Sequence, residues 1–180
     1  MSSILLIRHA QSQLAGRFCG SSNPFLSSAG EVEARELAEK LRATVISHIF
    51  CSPLRRAVMT AEAIAATREV PLTVMDGLRE MDFGEWEGLT WREIELRDPQ
   101  FARQWMEQFP SLTAPGGEPF EAFRQRVESA YLQVQGENVS GTVAIVAHSG
   151  VLGVLLARTS GQPFRLIPAP ANAEVFEISS

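Results

Sequence analysis

The sequence predicts an α/β domain of three layers, a mostly parallel central sheet with helices on both faces. Three observations lead there. Short apolar runs recur at residues 4–7, 45–51 and 142–147, the pattern of strands buried on both sides. Amphipathic stretches of helical period separate them. Strands alternating with helices need crossover connections, and those give parallel pairing.

Taken in order, residues 4–7 make the first strand, and residues 16–28, rich in Gly, Ser, Asn and Pro, read as a loop. A helix is expected over 29–42, burying Val32, Leu37 and Leu41 while Glu, Arg and Lys face outward. The second strand falls at 45–51. Ser52-Pro53 then opens a helix running to Thr67, with serine as cap and proline in the first turn. Leu54, Ala57, Val58, Ala61, Ile64 and Ala65 recur along it at helical spacing. A short strand at 72–75 leads into a loop over 77–88 that carries glycines and four acids. Residues 91–97 and 101–109 are short, aromatic-rich helices suited to a lid. Residues 119–134 form an amphipathic helix with Phe120, Phe123, Val127, Ala130, Tyr131 and Val134 on one side. Residues 142–147 are the clearest buried strand, 151–159 an apolar helix, and 173–178 a last strand. No repeat, low-complexity tract or linker interrupts the 180 residues, which read as a single domain.

Composition narrows the function classes. Hydrophobic residues make up 45 % and charged residues 21 %, as in globular rather than disordered chains. A net charge of −5 argues against nucleic acid as a partner, and it makes any local arginine cluster informative. The apolar run at 4–7 is ended by Arg8 and His9, far short of a signal peptide or membrane span. No membrane partner is therefore expected. Cys19 and Cys51 are too few for a disulfide framework or a zinc site. They read as reduced thiols of a cytoplasmic protein, with a bond between them as the alternative.

Two of the three histidines, His9 and His148, follow buried strands directly. Ligands of parallel sheets gather beyond the carboxyl ends of the strands, so both imidazoles should reach one edge. His48 lies inside a strand and reads as structural. Arg8 precedes His9, and Arg55-Arg56 open the helix after the second strand. Guanidinium forks and helix N-termini are what a phosphoryl group requires. Periodicity leaves open which arginine of the pair points inward. In the loop over 77–88, Glu80, Asp82, Glu85 and Glu87 all compete as proton donor, against a plain solvation role.

These residues resemble a known family. Leu6-Ile7-Arg8-His9 is similar to the Arg-His signature of the histidine phosphatase superfamily, of phosphoglycerate mutase-like fold. The likeness continues through Gly20, Leu26-Ser27 and Gly30, then Ser52-Pro53-Leu54-Arg55-Arg56-Ala57 with Thr60-Ala61-Glu62. It resumes at Leu78-Arg79-Glu80-Met81-Asp82-Phe83-Gly84 with Trp86-Glu87-Gly88, then Pro115-Gly116-Gly117-Glu118, and ends at Val146-Ala147-His148-Ser149-Gly150. The blocks fall in family order across nearly the whole chain.

The resemblance implies a phosphatase in which His9 is the nucleophile and carries a transient phosphohistidine. Arg8, Arg56 and His148 would bind the phosphoryl oxygens and Glu80 would be the general acid, without metal or cofactor. A neutral imidazole is a good nucleophile near neutral pH, and flanking positive charge keeps it unprotonated. Three positions depart from the family pattern: Ala10 for the usual Gly, Gln11 for Glu, and Ala15 where many members carry a phosphate-binding Asn. Loss of one neutral donor weakens phosphate binding by about 1 kcal/mol, roughly fivefold. Arg17 stands near enough in sequence to compensate, and Ser149 is a further substrate-binding candidate. The segment 80–84 resembles the phosphatase branch rather than the glycolytic mutases, and residues 117–127 resemble the α-ribazole phosphatases. The expected partner is a small phosphorylated metabolite, with a homodimer as an open possibility. The competing expectations are a phosphoglycerate mutase and a catalytically silent phospholigand-binding module.

Overall fold

The structure, a computed structural model, describes residues 3–66, 68–137 and 141–179. Five strands form one sheet in the order β3-β2-β4-β1-β5: β1 (Ser3–Arg8), β2 (Ile46–Cys51), β3 (Leu72–Val74), β4 (Thr142–Ala147) and β5 (Val175–Ser179). The pairs β3-β2, β2-β4 and β4-β1 are parallel, whereas β5 runs antiparallel to β1. The helices are α1 (Ser28–Lys40), α2 (Arg55–Ala65), α3 (Trp91–Arg97), α4 (Pro99–Gln108), α5 (Phe120–Gly136) and α6 (Ser149–Ser160). The expected three-layer, mostly parallel fold is observed.

Strand alternation divides the core between the two faces. Leu5, Ile7, Ile49, Ala144 and Val146 pack with Leu37 of α1 and with Ala57, Ala61 and Ile64 of α2. Leu6, Phe50, Ile145 and Ala147 turn the other way, against Phe123 and Val127 of α5 and Leu152 and Leu155 of α6. Both faces of the central strands are therefore buried, which is why their sequences are apolar without a break. A separate small core of Trp86, Ile94, Ala102 and Trp105 holds α3 and α4 together above the loop over 77–88. Short 3₁₀ turns lie at the start of that loop, Asp76–Leu78, and inside it, Gly84–Trp86.

Several expectations are corrected. Val32, expected in the core, is 44 % exposed; Ala34 and Leu37 supply the buried side of α1. Helix α2 starts at Arg55, with Leu54 at the cap position and no side-chain cap. Ser52 is instead drawn into the sheet edge, where its amide donates to the Val146 carbonyl at 3.0 Å. The expected end of that helix at Thr67 lies outside the described residues. Both cysteines are free. No helix among the described residues is long and apolar enough to cross a membrane.

Candidate active site

Register brings the two histidines together. Arg8 pairs with Ala147 at the carboxyl ends of β1 and β4, so His9 and His148 leave the sheet at the same level. The His9 amide donates to the Ala147 carbonyl at 3.0 Å. The rings meet edge-on, centroids 5.0 Å apart.

His9 is 6 % exposed, and its tautomer is set locally. Nδ1 lies 2.6 Å from the Ala10 carbonyl oxygen, which only accepts, so Nδ1 carries the proton and Nε2 the lone pair. Arg56 Nε donates to that Nε2 at 3.2 Å. Burial, then the Arg56 guanidinium, push the imidazole pKa down to about 3. The ring is neutral near pH 7.

Arg56 is 1 % exposed, while Arg55 is exposed and lies over the Phe25 ring, 4.6 Å from its centroid. The inward arginine is thus Arg56. Its fork is aimed by loop carbonyls: Nη1 donates to Ser22 O at 2.7 Å, Nη2 to Cys19 O and Gly20 O at 3.0 Å each. That loop is shaped in turn by Glu87, whose carboxylate accepts from the amides of Gly20, Ser21, Ser22 and Phe83 at 2.9–3.1 Å. Arg8 donates through Nη1 to the Pro170 carbonyl at 2.5 Å, and its buried Nε has no partner.

His148 is fully buried, its Nε2 2.7 Å from Ser52 Oγ and its Nδ1 without a partner. Burial and the nearby Arg56 hold it well below the ordinary imidazole pKa. Arg8 Nε and His148 Nδ1 are thus two buried nitrogens without a hydrogen-bond partner among the described residues.

Glu80 approaches from the loop. Its carboxylate accepts from the Met81 amide and from the Gly150 amide, each at 2.9 Å. A Cβ at position 150 would stand 2.4 Å from Glu80 Oε1, so glycine there leaves the carboxylate its place. Burial raises the Glu80 pKa, an effect the two amides and the arginines only partly offset. The competing acids are otherwise engaged: Asp82 accepts from the Gly84 amide, Glu87 organises the loop, and Glu85 is exposed.

Arg8, His9, Arg56, Glu80 and Ser149 line one cavity of about 650 Å³, whereas His148 is fully buried against the His9 ring and is not among the lining residues. Ala15 and Arg17 line it too, with Arg17 Nη1 donating to Gly88 O and Glu93 at 2.8 and 3.1 Å. Phe18, Phe83, Trp91, Met106, Phe109 and Phe164 give much of the lining an apolar surface, beside polar Arg165 and Asn172. His48 lies apart, bonded to Thr73 and stacked on Phe50. Sequence reasoning missed Ser52, whose Ser-Pro signal reads as a helix cap. It also took Glu87 for one more loop acid.

The histidine phosphatase superfamily (branch 1) model matches residues 4–179. The chain belongs to this family. Among histidine phosphatase relatives, the adenosylcobalamin/α-ribazole phosphatase of Escherichia coli is 31 % identical over 160 residues, covering 88 % of this chain and 79 % of the relative. A bifunctional protein of Mycobacterium tuberculosis is 36 % identical over 156 residues, covering 85 % of this chain but 43 % of its own length. The chain thus spans under half of that relative. The α-ribazole phosphatase structure from Shigella flexneri superposes with a TM-score of 0.89 at 29 % identity, covering 98 % of this chain and 90 % of the other. YhfR of Bacillus stearothermophilus gives 0.89 at 31 %, covering 99 % and 91 %.

Proposed function

We propose that this chain is a phosphomonoesterase that carries the phosphoryl group on His9. The observation that carries the reading is the pinned His9 tautomer, a neutral Nε2 lone pair held beside Arg56 on the cavity floor. In the first step Nε2 attacks phosphorus and the ester P–O bond breaks. Glu80, protonated, gives its proton to the leaving oxygen. Arg8, Arg56 and His148 Nδ1 meet the phosphoryl oxygens, and the Ser149 amide at the start of α6 adds one N–H group, since the Gly150 amide is held by Glu80. In the second step water attacks phosphohistidine, ionised Glu80 takes the water proton, and the P–N bond breaks to release phosphate. Arg17 is an outer substrate contact. The guanidiniums supply the positive charge that a metal would bring, and no group of three metal-ligating side chains occurs among the described residues. We propose a metal-independent, single-domain enzyme of the cytoplasm, where free thiols persist.

The relatives named as α-ribazole phosphatases and the apolar walls support a bulky, ring-bearing alcohol as leaving group. Burying about 60 Å² of such a ring contributes about 1.5 kcal/mol, roughly tenfold in kcat/KM. Phosphate release should be assayed with α-ribazole 5′-phosphate, phosphoserine and 3-phosphoglycerate in excess chelator. The nucleoside-like ester should lead by about tenfold or more. Preference for the small anionic esters, or a loss of activity restored by magnesium or zinc, would overturn the respective assignment.

A further inference from the structure

Both hydrogen bonds on the Glu80 carboxylate come from backbone amides. One is the Met81 amide of its own segment and the other the Gly150 amide of α6, so the carboxylate meets α6 correctly only where its segment is held. That segment is gripped from outside the main cavity by Arg126 of α5. Nε donates to Glu118 Oε1 at 2.8 Å, and Nη1 donates to the carbonyls of Gly77 at 3.1 Å and Arg79 at 2.7 Å. Nη2 donates to the Glu80 carbonyl at 2.9 Å and to Glu118 Oε2 at 2.7 Å. Every N–H of the guanidinium is spent on this one task.

Glu118 closes the grip at the other end. Its amide donates to the Asp82 carbonyl at 2.9 Å, and its Oε2 accepts from the Asp82 amide at 3.4 Å. The turn before it lies flat on the same segment, since a Cβ on Gly117 would stand 2.7 Å from the Asp82 carbonyl oxygen. The Pro-Gly-Gly-Glu block at 115–118 thus has a physical purpose, although it touches nothing in the reaction. Arg126 and Glu118 line an outer hollow, and Glu80 lines both that hollow and the main cavity.

We infer that Arg126 and Glu118 are positioning residues for the general acid, fixing the backbone over 77–82 so that Glu80 meets the leaving oxygen. This rests on Glu80 being the acid, as proposed above. An ion pair of this kind adds little net stability but fixes geometry. Lysine offers three donors and no planar fork, so it cannot replace the arginine.

The test compares an alkyl phosphate with an activated aryl phosphate, whose leaving oxygen needs little protonation. Displacing a catalytic group by about 1 Å costs on the order of 100-fold. Arg126→Lys and Arg126→Met should therefore lose about 10–100-fold with the alkyl ester, and under about threefold in single-turnover phosphorylation by the aryl ester. In a Glu80→Gln background the same changes should add almost nothing, because the acid is already gone. Glu118→Gln keeps the arginine and the side-chain volume. It should show the same split, and it keeps the test open if Arg126→Met fails to fold. Equal losses on both esters, additive losses in the double variants, or no loss at all would overturn the positioning role. Glu80→Gln alone hitting both esters equally would instead remove the acid assignment, and the positioning role with it.

Discussion

Keeping His9 neutral has a cost in acid that can be measured. Its pKa is about 3 in the fold, against about 6.5 in an unfolded chain. Between those values the unfolded state binds a proton that the native state refuses. The stabilising contribution is therefore complete above about pH 6.5 and is lost as pH falls, at about 1.4 kcal/mol per unit. In urea melts at pH 7 and pH 5, the stability of wild type relative to His9→Asn should fall by about 2 kcal/mol at the lower pH. Parallel pH dependence in the two proteins would contradict the buried neutral imidazole. Glu80 has the opposite sign: burial raises its pKa, so its proton stays longer in the fold than outside it. At this scale His9, Arg8 and His148 were legible because chemistry-bearing residues stood directly at strand ends. Arg56 and Glu80 needed the family resemblance, since neither helical periodicity nor loop composition distinguishes an inward side chain from its neighbours. Ser52 was misread because hydrogen bonding to an imidazole leaves the same Ser-Pro sequence as helix capping.

Among the elements, β4 was read to the residue, because a strand covered on both faces admits no polar interruption. Strand β5 was located but its direction was not, since an edge strand has the same pattern running either way. The start of α2 was placed too early, because the chain first returns to the sheet edge through Ser52. The two short aromatic-rich helices are legible in the sequence, and they have a separate core around Trp86 and Trp105. Trp91, at the start of α3, both joins that aromatic cluster and lines the cavity. If the lid helices form the leaving-group wall, Trp91→Ala should raise KM for α-ribazole 5′-phosphate by about tenfold. It should leave KM for a small alkyl phosphate within about twofold. A uniform rise across both esters would assign the lid to closing the site rather than to recognising the alcohol.

Across the whole molecule, an acidic chain of net charge −5 gathers buried Arg56, half-buried Arg8 and two buried neutral histidines at one end of its sheet. Parallel register requires this juxtaposition: once β1 pairs with β4, residues 9 and 148 cannot be far apart. The fold class followed from the alternation of apolar runs and amphipathic helices. The carbonyl, amide and guanidinium contacts that aim the site did not, because they join segments distant in sequence. If phosphate passes through His9, the phosphorylated imidazole can be trapped. Glu80→Gln should form phosphohistidine from an activated aryl phosphate yet hydrolyse it slowly, having lost the base that activates water. An alkaline quench, which spares the P–N bond, followed by peptide mapping should find phosphate on the peptide bearing His9. His9→Ala should show neither label nor turnover. Phosphate on a different residue, or continued ester hydrolysis by His9→Ala, would contradict the account.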